Sequence, residues 1–266
     1  MSPLIYVLVG ITVFITHALE AITGFGCTVL ALPFVTALVG VKTGVPILAT
    51  LAWILALYIV ITKWRFINFK EFGIIVLFVG IGLPFGMLAF KNLNPQLLKK
   101  ILALFITLTA SWQVYRRFTR PGVVSNSDAN GESVNCPAAP EAAISNTFWG
   151  RLPYYLILVV GGMVHGAFAS GGPLVVLYAS KTLTDKGSFR ATLCLLWTTL
   201  NTLLLINYLR SGVFTASIVS GTAGMLPFLA AGIVAGEKIH HRVDGDLFGK
   251  LIFLVLLITG LFMLIF

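Results

Sequence analysis

Glu20 is the only one of nine acidic residues placed inside an apolar run, and His17 stands one helical turn before it on the same face. A carboxyl inside a membrane is costly and marks function by default, so the chemistry expected of the pair is proton binding at Glu20 relayed through His17. The competing reading is a neutral Glu20 hydrogen-bonded to His17 as structural glue. Close by, the apolar run breaks at Gly24-Phe25-Gly26, and a helix restarts at Cys27 and Thr28. A second break, at Ser170-Gly171-Gly172, is followed by Pro173 in a good first-turn position. The first N–H groups of a helix are unbonded and its dipole end is positive, while glycines let a ligand reach the backbone. Two such helix starts favour a small anion.

Other polar residues have two readings each. His165, five residues before Ser170, is either ligand-facing or a satisfied core histidine. Asn201, mid-helix among leucines, can donate its amide to an oxyanion or join helices. Arg190 can pair with the anion or anchor a helix end at the cytoplasmic surface. Trp53 and Trp197 are candidate pocket walls, Trp64 and Trp149 interfacial belt residues, and His240 and His241 part of a solvated basic loop. Gly80, Gly82 and Gly86 read as helix packing. Cys27, Cys136 and Cys194 are too far apart for a zinc knuckle or a redox pair, so no metal, cofactor or catalytic residue is expected.

The elements that must position these residues follow from composition. Of 266 residues, 58% are hydrophobic and 10% charged, and the mean hydropathy is +0.98. One aqueous core cannot hide so much apolar surface, so the chain is an all-α polytopic membrane protein. Eight runs approach the roughly 20 residues a spanning helix needs: Pro3–Ile22, Val45–Thr62, Phe72–Phe90, Leu97–Tyr115, Leu152–Ala169, Leu193–Leu209, Val213–Gly236 and Leu247–Phe266. Two more, Cys27–Val41 and Gly172–Leu183, are short and each follows a glycine break. Polar, Pro- and Gly-punctuated sequence between them reads as a linker, 117–151, that separates a first repeat, 1–116, from a second, 152–266. Equivalent features recur: Gly24-Phe25-Gly26 answers Ser170-Gly171-Gly172, Ala49-Thr50-Leu51 answers Ala191-Thr192-Leu193, and Gly82-x-x-x-Gly86 answers Gly232-x-x-x-Gly236.

The net charge of +9 would suggest nucleic acid in a soluble protein, but every basic residue lies near the end of an apolar run. Here it is an orientation signal, and no nucleic-acid partner is expected. If each long-plus-short pair crosses the bilayer an even number of times and the N-terminus is outside, only Lys42, Lys91, Lys99, Lys100 and Arg210 face out. The remaining 13 of 18 basic residues then face the cytoplasm, whereas the odd alternative gives ten against eight. Even parity over five segments places the halves in opposite orientations, the inverted-repeat plan of secondary transporters, each half starting with a glycine-broken helical hairpin. The expected location is the cell membrane, with both termini outside and the linker cytoplasmic. The N-terminus has no basic region before its apolar stretch and reads as a retained segment.

The breaks, with Pro33 downstream of the first and Gly166-x-x-x-Ser170-Gly171-Gly172-Pro173 forming the second, resemble the TauE/SafE family of membrane anion transporters. The resemblance covers almost the whole chain outside the linker, including the Gly-x-x-x-Gly before the last helix of each half. Cys27 and Ser170 stand where the family's fuller glycine runs have another glycine. Membership implies export of sulfite, sulfonates or related organosulfur anions. The expected function is therefore secondary active transport of such an anion, coupled to protons. A carboxylate or inorganic anion on the same architecture is the alternative. The expected partners are the small anion, protons and the lipid bilayer, and a homodimer is compatible with this plan. An intramembrane protease built on Ser170 and His165 is disfavoured, because its base has to come from another helix and a symmetric repeat does not suit one asymmetric active site. A scaffold without transport leaves the two breaks beside Glu20 unexplained.

The charge distribution yields a labelling test. Membrane-impermeant maleimide applied to intact cells should leave Cys136 unreacted and label a cysteine added at the C-terminus; the reverse pattern means the opposite topology.

Overall fold

The computed structural model describes residues 3–23, 26–119, 148–183, 185–239 and the single positions 257 and 261. Among these the chain is all-helical. The helices are α1 (Pro3–Thr23), α2 (Cys27–Val39), α3 (Val41–Lys63), α4 (Phe69–Asn92), α5 (Pro95–Thr119), α6 (Phe148–Phe168), α7 (Gly172–Thr182), α8 (Lys186–Arg210) and α9 (Ala216–Ile239), with one 3-10 turn at Trp64–Phe66. Every apolar run read from the sequence up to residue 239 is a helix, with ends within four residues of those expected except at α8, which starts at Lys186, seven residues before the run Leu193–Leu209. The expected linker and last segment fall almost wholly outside the described residues, as do His240 and His241.

Six of these helices, α1, α3, α4, α6, α8 and α9, are long and apolar enough to cross a membrane. The 13 residues of α2 and 11 of α7 reach only about 20 and 16 Å, short of a ~30 Å hydrocarbon core. Each short helix packs back against the helix before it, so α1–α2 and α6–α7 are helical hairpins. Several threonine hydroxyls inside the helices are satisfied locally: Thr16, Thr36, Thr50, Thr198, Thr202 and Thr222 each donate to the carbonyl four residues earlier. In lipid, where water cannot serve those groups, this removes the cost of carrying them.

The core sits between α3 and α8. Of the apolar window of α3, 61% is buried inside the protein, against 28% for α4 and for α9. Leu48, Leu51 and Leu55 of α3 and Leu193, Leu196 and Leu200 of α8 are fully buried. Leu77, Ile81, Phe85, Val219 and Val234 on the outer helices are exposed and form the lipid-facing surface. The flanking helices pair across the halves, α4 against α6 and α1 against α9.

Glycine makes those two seams. A methyl group on Gly82 or Gly86 would strike the α6 carbonyls of Val159 or Met163, and one on Gly162 or Gly166 the α4 carbonyls of Val79 or Leu83. On the other side, a methyl on Gly232 would stand 2.7 Å from the Phe14 carbonyl oxygen, and one on Gly236 2.8 Å from the Ala21 side chain. Without a hydrophobic drive between helices in lipid, such close backbone approach supplies the van der Waals contact that holds them. Gly80 departs from expectation. It was assigned to packing with Gly82 and Gly86, yet a methyl there meets nothing within 4 Å, because it projects away from α6.

The seam is tested by alanine at each position. Gly86→Ala should destabilise by about 1–3 kcal/mol through overpacking, lowering the thermal midpoint in detergent. Gly80→Ala should raise the midpoint slightly, by the helix preference of alanine over glycine.

Candidate functional site

Both hairpins break where the sequence places the breaks, by different means. Gly26 closes the first break with φ +103° in the left-handed region, where glycine is at ease. At the second, Ala169 takes φ +52°, a conformation that costs a side-chain-bearing residue about 1–2 kcal/mol. Gly24 and Phe25 lie outside the described residues. The helices that follow start without a side-chain cap from Gly26 or Gly171, so neither N-terminus is closed by its own N-cap residue.

The two breaks meet at one cavity. Glu20, Gly26 and Thr28 line it from the first hairpin, and His165, Ala169, Ser170 and Gly172 from the second. Trp197 and Asn201 of α8 close it, with Val29 and Ala52 as apolar wall. Eight of the residues singled out from sequence thus share one space although they come from both halves of the chain.

Polar groups in this space fall into two sets. One is tied down: the imidazole of His165 stacks on the Trp197 indole, ring centroids 5.4 Å apart and 17° from parallel, and its Nε2 lies 3.2 Å from Asn201 Oδ1. With Oδ1 accepting from Nε2–H, the Asn201 amide hydrogens remain for another acceptor. The other set has no partner: Ser170 Oγ, His165 Nδ1 and Glu20 Oε2 are buried without a hydrogen bond. Ser170 and His165 are each 2% exposed and Glu20 3%. Buried polar atoms are nearly always satisfied, so three of them around one cavity mark a place for a polar ligand.

Other candidates lie near but not in it. Cys27 is buried behind the cavity wall, where its N–H and thiol donate to the Glu20 carboxyl and its Sγ lies 3.5 Å from Thr28 Oγ1. Gly171 packs against Gly161 and His165, and a side chain there would collide with both. Arg190 does not line the cavity; it is half-buried, its Nε has no partner, and its charge acts on Glu20 from α8. His17 is not hydrogen-bonded to Glu20. Its Nδ1 donates to the Val13 carbonyl at 2.9 Å and its Nε2 has no partner, because the carboxyl four residues from the break is drawn to the start of α2 instead. Trp53 is no cavity wall either: its Nε1 donates to Thr202 at 2.8 Å, tying α3 to α8. Trp64 is 58% exposed, as an interfacial residue should be. Sequence reasoning missed the Glu20–Cys27 contact, which depends on the chain reversing at the break.

Six long apolar helices and two broken hairpins meeting at a buried polar cavity define a polytopic membrane protein of the transporter kind. Residues 9–263 match the sequence model of the family described as Sulfite exporter TauE/SafE, and the chain belongs to that family of membrane transporters. No curated protein and no solved structure matches the chain.

The tie between His165 and Asn201 can be measured. A double-mutant cycle of His165→Phe and Asn201→Leu should give a coupling of about 0.5–1.5 kcal/mol in unfolding free energy, the worth of one intramolecular hydrogen bond. Additive effects would show that the two side chains are independent.

Proposed function

We propose that the protein exports a small sulfur oxyanion, sulfite or a short sulfonate, across the cell membrane, coupled to a movement of protons. The observation that carries this reading is the cavity between two helix N-termini that their glycine N-cap residues leave open, with the Ser170 hydroxyl unpartnered beside it. The tetrahedral head of an –SO₃ group carries three oxygens that can each accept hydrogen bonds. The chain offers N–H groups at the starts of α2 and α7, the hydroxyls of Ser170 and Thr28, and the free amide hydrogens of Asn201. Trp197 and Ala52 give the apolar remainder of a sulfonate a surface to rest on. Glu20 is the proton-carrying group in this reading.

The pairing of helices across the halves supports the inverted-repeat plan, with 1–116 and 152–266 as the repeats. The first helix of each half packs on the fourth segment of the other half, α1 on α9 and α6 on α4, while the third-placed helices α3 and α8 meet at the centre. Two like halves exchanging equivalent elements give this pattern, and alternating access follows from the α1–α9 and α4–α6 pairs moving against each other around a fixed site. The topology with both ends outside and the linker cytoplasmic belongs to the same reading.

Gly172 is the position that tests the site. A methyl there meets only Trp197 Cζ2, at an ordinary 3.9 Å, so the fold tolerates a side chain while the cavity does not. Gly172→Val should keep the thermal midpoint and weaken sulfite or sulfonate binding at least tenfold, and Ser170→Ala should weaken it about tenfold by loss of a hydrogen bond to a charged ligand. Titration calorimetry on the purified protein measures both. Unaltered affinity in the two folded variants would mean the anion is held elsewhere. Gly26 is a poorer test, since any side chain at its φ of +103° strains the backbone before it touches a ligand.

A further inference from the structure

The cavity already holds an anionic group of its own. The N-terminus of α2 has no cap from Gly26, and the group that fills it comes from α1: the Glu20 carboxyl accepts from the N–H and the thiol of Cys27, the first residue of the helix. Its second oxygen, Oε2, is buried without a partner at the cavity wall. The N-terminus of α7 has no such occupant. Among the described residues Glu20 is the sole acidic side chain lining the cavity, and at the α7 end Ser170 Oγ waits unpartnered. The two helix starts are therefore unequal.

A carboxylate and a substrate anion among side chains as buried as Glu20, His165 and Ser170 repel more strongly than they would in bulk water. They also want the same N–H groups. We propose that Glu20 is an internal competitor of the substrate: its carboxylate occupies the start of α2 when the cavity is empty, and a monoanion binds against α2 and Ser170 only after Glu20 has taken up a proton. This rests on the anion-transport reading and fixes its stoichiometry. One proton enters with each monoanion, neutralises the carboxylate and frees the Cys27 N–H; it leaves when the anion leaves, so the loaded site carries no net charge relative to the empty one.

Other ionisable groups face Glu20 or its cavity from the packed elements. Cys27 on α2 donates to it, Cys194 and Arg190 on α8 interact with its charge, and His165 on α6 shares the cavity. On α1, His17 is turned to the Val13 carbonyl. On α9, Glu237 accepts from Tyr58 of α3, near enough to Arg190 that both charges act on the Tyr58 hydroxyl. Arg190 is a fixed cation within electrostatic reach of Glu20. His165 is the rival proton acceptor, and the test must separate the two.

The probe is methanesulfonate, which stays a monoanion throughout pH 5.5–8.5, titrated by calorimetry into the purified full-length protein. In the unmodified protein the affinity should fall towards tenfold per pH unit at the alkaline end, and titrations in buffers of different ionisation enthalpy should count one proton taken up per anion. Glu20→Gln should bind independently of pH and, at pH 8.5, at least tenfold more tightly than the unmodified protein. His165→Gln should keep the pH slope whatever happens to its affinity. Weaker binding by Glu20→Gln at pH 8.5, or a slope that survives in it, overturns the proposal, as does a slope lost in His165→Gln instead. Zero proton uptake by the unmodified protein overturns it without any variant. If neither methanesulfonate nor sulfite binds the unmodified protein or Glu20→Gln at any pH, the anion cavity itself falls; if methanesulfonate binds with a flat pH profile, only the competitor falls.

Discussion

A peptide group in hydrocarbon has nothing to hydrogen-bond except its own chain, and the rest of this structure follows from that constraint. Continuous helices meet it automatically; interrupted ones do not. The chain interrupts two helices, after Thr23 and after Phe168, and the irregular backbone is tolerated because the interruptions face each other across one internal space. The surrounding spans then have a common task, which is to keep lipid away from that space. The helices α3 and α8 do it from the middle, α4 and α9 from the rim, and the threonines that bond back to their own helices let the shield contain hydroxyls at no cost.

The polar chemistry is arranged around the same interruptions. Each break leaves a helix start open, and each open start meets a different answer: a carboxyl from the preceding helix at α2, an unpartnered serine hydroxyl at α7. The imidazole of His165 is locked between Trp197 and Asn201, so the wall between the two ends is stiff while the ends remain available.

Much of this was legible in the sequence because membranes turn structure into length. Run lengths give the helices, and the short runs after glycines give the hairpins: Cys27–Val41 was expected and Cys27–Val39 is found. Glu20, His165, Ser170, Gly172 and Asn201 stood out because polar residues in apolar runs are rare, and they do converge. What the sequence hid depends on side-chain direction across a chain reversal. Glu20 and His17 are one turn apart, which invites a pair, but the fold offers Glu20 the positive end of α2, a better partner than a neutral imidazole. Gly80 is two residues from Gly82 and looks equivalent in a string of glycines, yet on a helix two residues is 200° of rotation, which turns it away from the seam. Trp53 and Trp197 follow matching stretches, but only one reaches the cavity, because the other found Thr202.

The glycine seams have a mechanical meaning. Where backbone lies on backbone with no space for a methyl group, two helices cannot slide or tilt against each other without opening a void or a clash, so α1 with α9 and α4 with α6 behave as stiff beams. Each beam joins the first half of the chain to the second. The soft joints of the molecule are therefore elsewhere, at the leucine-rich contact of α3 with α8, where branched side chains can repack as the beams pivot.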